Sequence, residues 1–236
     1  MNGFLLVDKE QDWTSSDVVA KLRGVLHERR IGHAGTLDPM ATGLLVVMVG
    51  KCTKASDYVM HQDKEYIASI KLGTVTDTQD IWGNVLHKSD ECVSLKELEE
   101  VIESFTGDIE QIPPMYSAIK INGQKLCNIA RRGGEVEREP RKIHVETIEV
   151  LSGGGDEYCL RINCSSGTYV RTLCHDIGAK LGCGACMSSL RRVRIGNASV
   201  DDAHRISEIS EEFLIPGDNP MWNLPEKIVE KISDNE

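Results

Sequence analysis

His33-Ala-Gly-Thr-Leu-Asp38-Pro-Met-Ala-Thr-Gly43, running directly into Leu44-Leu-Val-Val-Met-Val49, is the stretch that decides the reading of this chain. A short loop bounded by glycines delivers one carboxylate and then becomes a wholly apolar run. Pro39 disfavours the right-handed helical region at Asp38 and holds it extended. Gly35 and Gly43 allow a tight turn or a close backbone approach. The run 44–49 holds three valines and no charge, which predicts a strand buried on both faces. An acid fixed at the lip of such a strand is pre-positioned as a nucleophile or general base. The competing reading is an acid that only closes an Asp-Pro turn.

The chain is 236 residues long, enough for one large domain or two small ones. With 40% hydrophobic and 27% charged residues it has the make-up of an ordinary globular protein. Its apolar runs are far shorter than the roughly twenty residues that span a bilayer. The N-terminus lacks a basic region and a cleavage site, so a cytoplasmic location without membrane attachment is expected. Eight cysteines in a cytosolic chain read as free thiols. Cys183-Gly-Ala-Cys186 has metal-ligand spacing with Cys174 and His175 upstream. No second spaced pair completes a ligand set, so a tight turn is expected there and no metal.

The net charge of −10 is unevenly spread. Residues 77–111 carry ten acids and two bases, and residues 198–236 ten acids and three bases. Residues 159–197 carry six bases and one acid, a segment expected to face phosphates. Arg23, Arg29 and Arg30 cluster just before the His33 loop, either as an exposed helix end or as phosphate contacts.

Residues 3–7 predict a strand. Thr14 and Asp17 form a capping-box pattern ahead of Val18, Val19, Leu22, Val25 and Leu26 at helical spacing. Lys51–Lys54 reads as a polar turn and 55–60 as a short helix. Lys64–Leu72 alternates as a strand with Tyr66 on one face, and Gly73–Asp80 reads as a polar loop. Ser94 and Glu97 cap a helix whose apolar stripe is Leu95, Leu98, Val101, Ile102 and Phe105. Ile143 to Val150 and Leu160 to Cys164 read as paired strands around a glycine turn. Tyr169 and Arg171 share a face if extended, and a helix with Leu173, Ile177 and Leu181 follows.

Gly35-Thr-Leu-Asp38-Pro with Ala41-Thr-Gly-Leu-Leu45 resembles the active-site signature of the TruB family of RNA pseudouridine synthases. Gly73–Asp80, Gln111–Lys120 and Cys164–Leu173 resemble further motifs of that family, so the likeness covers residues 3 to about 197. It implies an α+β pseudouridine synthase fold: a mixed, largely antiparallel sheet with flanking helices and a central active-site cleft. It implies a catalytic domain over 1–197 with an RNA-binding loop at about 113–142. The acidic residues 198–236 are too few for the PUA domain that relatives commonly add, so that domain is expected to be lacking.

The implied activity is isomerisation of uridine to pseudouridine at position 55 in the T-arm of tRNA, with neither cofactor nor metal. The resemblance carries Asp38 over as nucleophile, with Arg171 ion-paired to it. Three routes stay open for Asp38: attack on the sugar C1′, addition to C6 of the base, or assistance in losing a ribose proton. Tyr66 is carried over as a stacking and proton-transfer group, and Tyr169 as part of the pocket lining. Leu190 would be an apolar wall and His33 would hold the flipped-out nucleotide. Lys54 would touch phosphate. The target base must leave its stack at a cost of roughly a few kcal/mol. A monomer without an obligatory protein partner is expected. The alternatives are a relative that works with guide RNA and partner proteins, and an RNA-folding factor without catalysis.

Overall fold

The computed structural model describes residues 1–91 and 93–233. From the N-terminus the elements are β1 (Gly3–Lys9), α1 (Ser15–Val25), β2 (Ile31–Ala34), β3 (Thr42–Val49), α2 (Ser56–Met60) and β4 (Lys64–Leu72). Then come β5 (Thr74–Thr76), β6 (Val85–Lys88), α3 (Leu95–Glu103), β7 (Gly107–Gln111), β8 (Lys120–Ile121), β9 (Gln124–Lys125) and α4 (Leu126–Ala130). The remainder is β10 (Arg141–Gly154), β11 (Glu157–Cys164), α5 (Val170–Leu181), β12 (Ala185–Ile195), β13 (Ala198–Ser199), β14 (His204–Arg205) and α6 (Glu226–Ser233). The chain forms two compact units, residues 1–67 with 190–236 and residues 68–189, the division falling within β4 and β12.

In the first unit the strand order is β14–β1–β3–β12, with β2 also on β3. β3 is hydrogen-bonded along its length: antiparallel to β1 on one side, and on the other to β2 and then, in parallel, to β12. Side chains alternate across its two faces. Leu44, Val46 and Met48 join one core cluster with Phe4 and Leu6; Leu45, Val47 and Val49 join another with Val18, Leu22 and Leu26 of α1 and its C-cap. Both faces are dry, which is why the run carries no polar residue. α1 starts as expected, with Thr14 and Asp17 closing a reciprocal capping box.

Residues 198–233, from the segment that is acidic by composition, lie within this unit. β14 pairs in parallel with β1, and Phe4 exchanges two backbone hydrogen bonds with Ile215 at 2.8 Å each. These contacts cover the edge of β1 that would otherwise be open to pairing with another chain. Trp222 stacks on Phe4 with ring centroids 4.2 Å apart and is buried. Trp222→Leu should therefore cost about 2 kcal/mol in urea unfolding, through lost stacking and a residual cavity. An unchanged midpoint would show that the segment does not contribute to the core.

In the second unit the order is β4–β11–β10–β7, with β10 antiparallel to both β11 and β7. The Ser94–Glu97 capping box opens α3, but Leu95 is exposed and Leu98 and Ile102 carry the burial. Two expectations need correction here. Gly73–Asp80 is not simply a loop: β5 and β6 form a hairpin, and Thr74, Thr76 and Asp80 are buried. Tyr169 and Arg171 are not extended neighbours, because Tyr169 is the N-cap of α5 and Arg171 lies in its first turn. The 113–142 stretch contains the β8–β9 hairpin and α4.

Candidate functional site

In the first unit Asp38 is half-buried in the turn between β2 and β3, its carbonyl accepting from Ala41 N–H at 3.0 Å. The turn expected from Asp-Pro is present, and its flanks are tied down. Ser15, in the first turn of α1, holds Leu37 through its hydroxyl, accepting from Leu37 N–H at 2.9 Å and donating to the Leu37 carbonyl at 3.2 Å. The Pro39 carbonyl accepts from Asp12 N–H at 2.9 Å. Asp38 is thus fixed between two anchored neighbours, as a group that must be aimed requires.

Further residues of the first unit belong to the candidate site. Lys9 is fully buried at the end of β1; its ammonium donates to the carbonyls of Glu10 at 2.9 Å and Trp13 at 2.7 Å, with a long contact to Pro39 at 3.5 Å. Burial pushes Lys9 down to about 8, against an opposing pull from the Asp38 charge. An unfolded lysine binds its proton up to about 10.5. Between those values the unfolded chain holds the proton more tightly, so the contribution of Lys9 to stability rises as pH goes from 8 to 10.5. Measured against Lys9→Met, the native chain should gain relative stability between pH 7.5 and 9.5. A flat difference would show that the ammonium is not desolvated.

Tyr66, in β4, is buried and hydrogen-bonded to Arg192, itself fully buried in β12. His33, in β2, is held below the ordinary imidazole value by burial and then by the Arg192 charge, so it is neutral at pH 7. Its Nδ1 is buried without a hydrogen-bond partner among the described residues. Leu190 is buried in β12. Lys54 donates to the Lys231 carbonyl in the last turn of α6 at 2.7 Å, a cation at a helix C-terminus.

In the second unit Arg171 is buried and held by three oxygens: the Thr78 carbonyl at 2.9 Å, the Tyr116 carbonyl at 2.8 Å and the Asp80 carboxylate at 3.4 Å. Asp80 in turn accepts from Thr78 Oγ1 at 2.8 Å and Trp82 N–H at 3.1 Å. Tyr169 is half-buried, its backbone clamped by Gln111, which accepts from Tyr169 N–H at 2.8 Å and donates to its carbonyl at 3.1 Å. In the sequence Asp80 and Gln111 stand out only as members of the Gly73–Asp80 and Gln111–Lys120 motifs. The signal that could have found them is a polar side chain in a block otherwise set to fold inward.

The bases of the segment 159–197 are engaged within the protein, two of them by burial. Arg171 and Arg192 are buried, Arg191 makes a two-pronged pair with Asp8 at 2.9 Å, and Arg194 pairs with Glu65 at 3.1 Å. Arg161 lies 3.7 Å from Glu149. Linear charge counting misses this, because the partners lie outside the segment. Exposed cations instead gather at Lys120, Lys125, Arg131 and Arg132, which line a recess of about 540 Å³ within the 113–142 stretch. The chain bends over 182–184, with Gly182 and Gly184 in left-handed conformation, and Cys186 already lies in β12. Burial pushes Cys174 up to about 12 and Cys186 up to about 11, keeping both as thiols.

Sequence profiles match most of the chain. Residues 23–170 fit the TruB family pseudouridylate synthase (N terminal domain), and residues 171–219 fit the tRNA pseudouridylate synthase B C-terminal domain. The chain is 48% identical to the tRNA pseudouridine synthase B of Clostridium tetani over 226 residues, covering 94% of this chain and 78% of that protein. It is 47% identical to the enzyme of the same name from Endomicrobium trichonymphae over 209 residues, covering 88% and 91%. Among solved structures it resembles a chain of a Cbf5-Nop10-Gar1 complex with a TM-score of 0.70 and 30% identity, over 98% of this chain and 59% of that one. A chain of an H/ACA RNP bound to a substrate RNA containing 2′-deoxyuridine gives a TM-score of 0.69 and 28% identity, over 97% and 61%. An anchored acid at the mouth of a doubly buried strand, with these matches running through both units, places the chain in the TruB family of pseudouridylate synthases.

Proposed function

We propose that the protein isomerises uridine to pseudouridine at position 55 in the T-arm of tRNA. The observation that carries this reading is the fixed Asp38 loop beside buried Tyr66, in a chain 41–48% identical to several proteins named tRNA pseudouridine synthase B. The catalytic domain in this reading is residues 1–197, with 113–142 as the RNA-binding loop. The cation-lined recess in that loop supports the assignment, since phosphates attract such clusters.

The target uridine is extruded from its stack and enters the site. With Asp38 as nucleophile the N1–C1′ bond breaks, the freed uracil turns while held and C5 bonds to C1′; Asp38 is released as carboxylate, C5 loses its proton and N1 gains one. Arg171 balances the Asp38 charge during this exchange. Tyr66 stacks on the base and serves proton transfer, while Tyr169 and Leu190 line the pocket. Neutral His33 suits stacking into the RNA loop better than an imidazolium would, because burying a charge against bases is costly. Lys54 is exposed and its ammonium has three donors, so it can keep the Lys231 carbonyl while it takes a phosphate.

The test is to map pseudouridine in an unmodified tRNA transcript after incubation with the purified chain alone. Product confined to position 55 is expected. Absence of product until guide RNA and partner proteins are added would favour the guide-dependent alternative.

A further inference from the structure

The Asp38 loop is gripped by a residue to which the proposed reaction gives no part. Arg192 is 1% exposed and is the bulkiest of the fully buried side chains. A buried guanidinium is costly unless its donors are matched, and those of Arg192 go to the candidate site. Nε donates to the Leu44 carbonyl at 2.8 Å, Nη2 to the Gly35 carbonyl at 2.9 Å, and a further hydrogen bond joins the Tyr66 side chain. Gly35 precedes Asp38 by three residues and Leu44 follows it by six, so one planar group spans the loop from both ends.

The two glycines of the opening motif fit the same residue. A Cβ at Gly35, where φ is +76°, would stand 3.3 Å from Nη1 of Arg192. A Cβ at Gly43 would stand 2.3 Å from the Arg192 carbonyl oxygen, because β3 and β12 pair there in parallel register. The close approach that the glycines permit is therefore to Arg192 as well as to any ligand. A lysine could not replace it, since an ammonium is a point charge without the fixed fork that reaches separate acceptors.

We propose that Arg192 is a positioning residue for the reaction, fixing the Asp38 carboxylate and the Tyr66 phenol in one mutual geometry while the base is turned. A guanidinium only donates, so the Tyr66 oxygen accepts and its own hydrogen points away from Arg192. This role rests on the reading of Asp38 and Tyr66 as the reacting groups.

Arg192→Lys is to be compared with the native chain in two backgrounds, Tyr66 and Tyr66→Phe, by single-turnover rate and tRNA Kd on an unmodified transcript. With Tyr66 present the substitution should slow the rate about 100-fold, the scale of a misplaced reacting group, with Kd changed by less than about 3-fold. In the Tyr66→Phe background the same substitution should cost no more than about 5-fold further. An unchanged rate, or an equal loss in both backgrounds, would reduce Arg192 to a structural part. If Arg192→Lys does not fold, Gly35→Ala applies the same test, since its methyl displaces the guanidinium without removing it, and the same two outcomes decide. A native chain that makes no pseudouridine sinks the reaction reading and this role together, whereas active protein with uncoupled losses sinks the role alone.

Discussion

Asp38→Asn should lower the single-turnover rate of pseudouridine formation by at least about 10³-fold while leaving the Kd for tRNA within about 3-fold of native. The amide keeps the size of the side chain but is a poor nucleophile, and none of the three routes open to the carboxylate tolerates the change. The fold should be indifferent, because the loop is held through Leu37, Pro39, Gly35 and Leu44 rather than through the carboxylate alone. Retained turnover would remove Asp38 from the chemistry and leave it as the residue that closes an Asp-Pro turn. A parallel loss of binding and melting temperature would mean that the carboxylate is a structural anchor.

Asp80→Ala should destabilise the chain by about 3–5 kcal/mol, the usual result of taking one partner from a buried ion pair. Both side chains are nearly inaccessible, 6% exposed for Arg171 and 10% for Asp80. Thr78 Oγ1 and Trp82 N–H would lose an acceptor in the same step. Asp80→Asn keeps an acceptor oxygen for those donors and should lose less than half as much. Turnover should fall in both variants if Arg171 serves the reaction, since its guanidinium is aimed by this network. Equal stability for native and Asp80→Ala in urea titration would show that the pair contributes nothing net, as some buried pairs do.

What lay in the sequence was whatever short-range chemistry fixes by itself. The unbroken apolar run 44–49 could only be a strand covered on both faces, and Thr14–Asp17 and Ser94–Glu97 could cap helices without help from distant residues. The motif around Asp38 brought the family with it, and with the family the mixed, largely antiparallel sheet. Tertiary structure decided the charges. Six bases between residues 159 and 197 read as one basic run, but other parts of the chain set Asp8, Glu65, Asp80 and Glu149 beside four of them.

It also decided what the glycines and the acidic C-terminal segment are for. Gly35 and Gly43 give a turn in any reading, but that the space they leave is filled by Arg192, some 150 residues later, depends on the pairing of β3 with β12. Residues 198–236 carry too weak a periodicity to declare that they close the edge of β1 and seat Trp222 on Phe4. Helical and strand patterns depend on neighbours a few residues apart, and so are written locally. Ion pairs, backbone approaches and covered edges depend on which segments meet, and that is settled only when the sheet has formed.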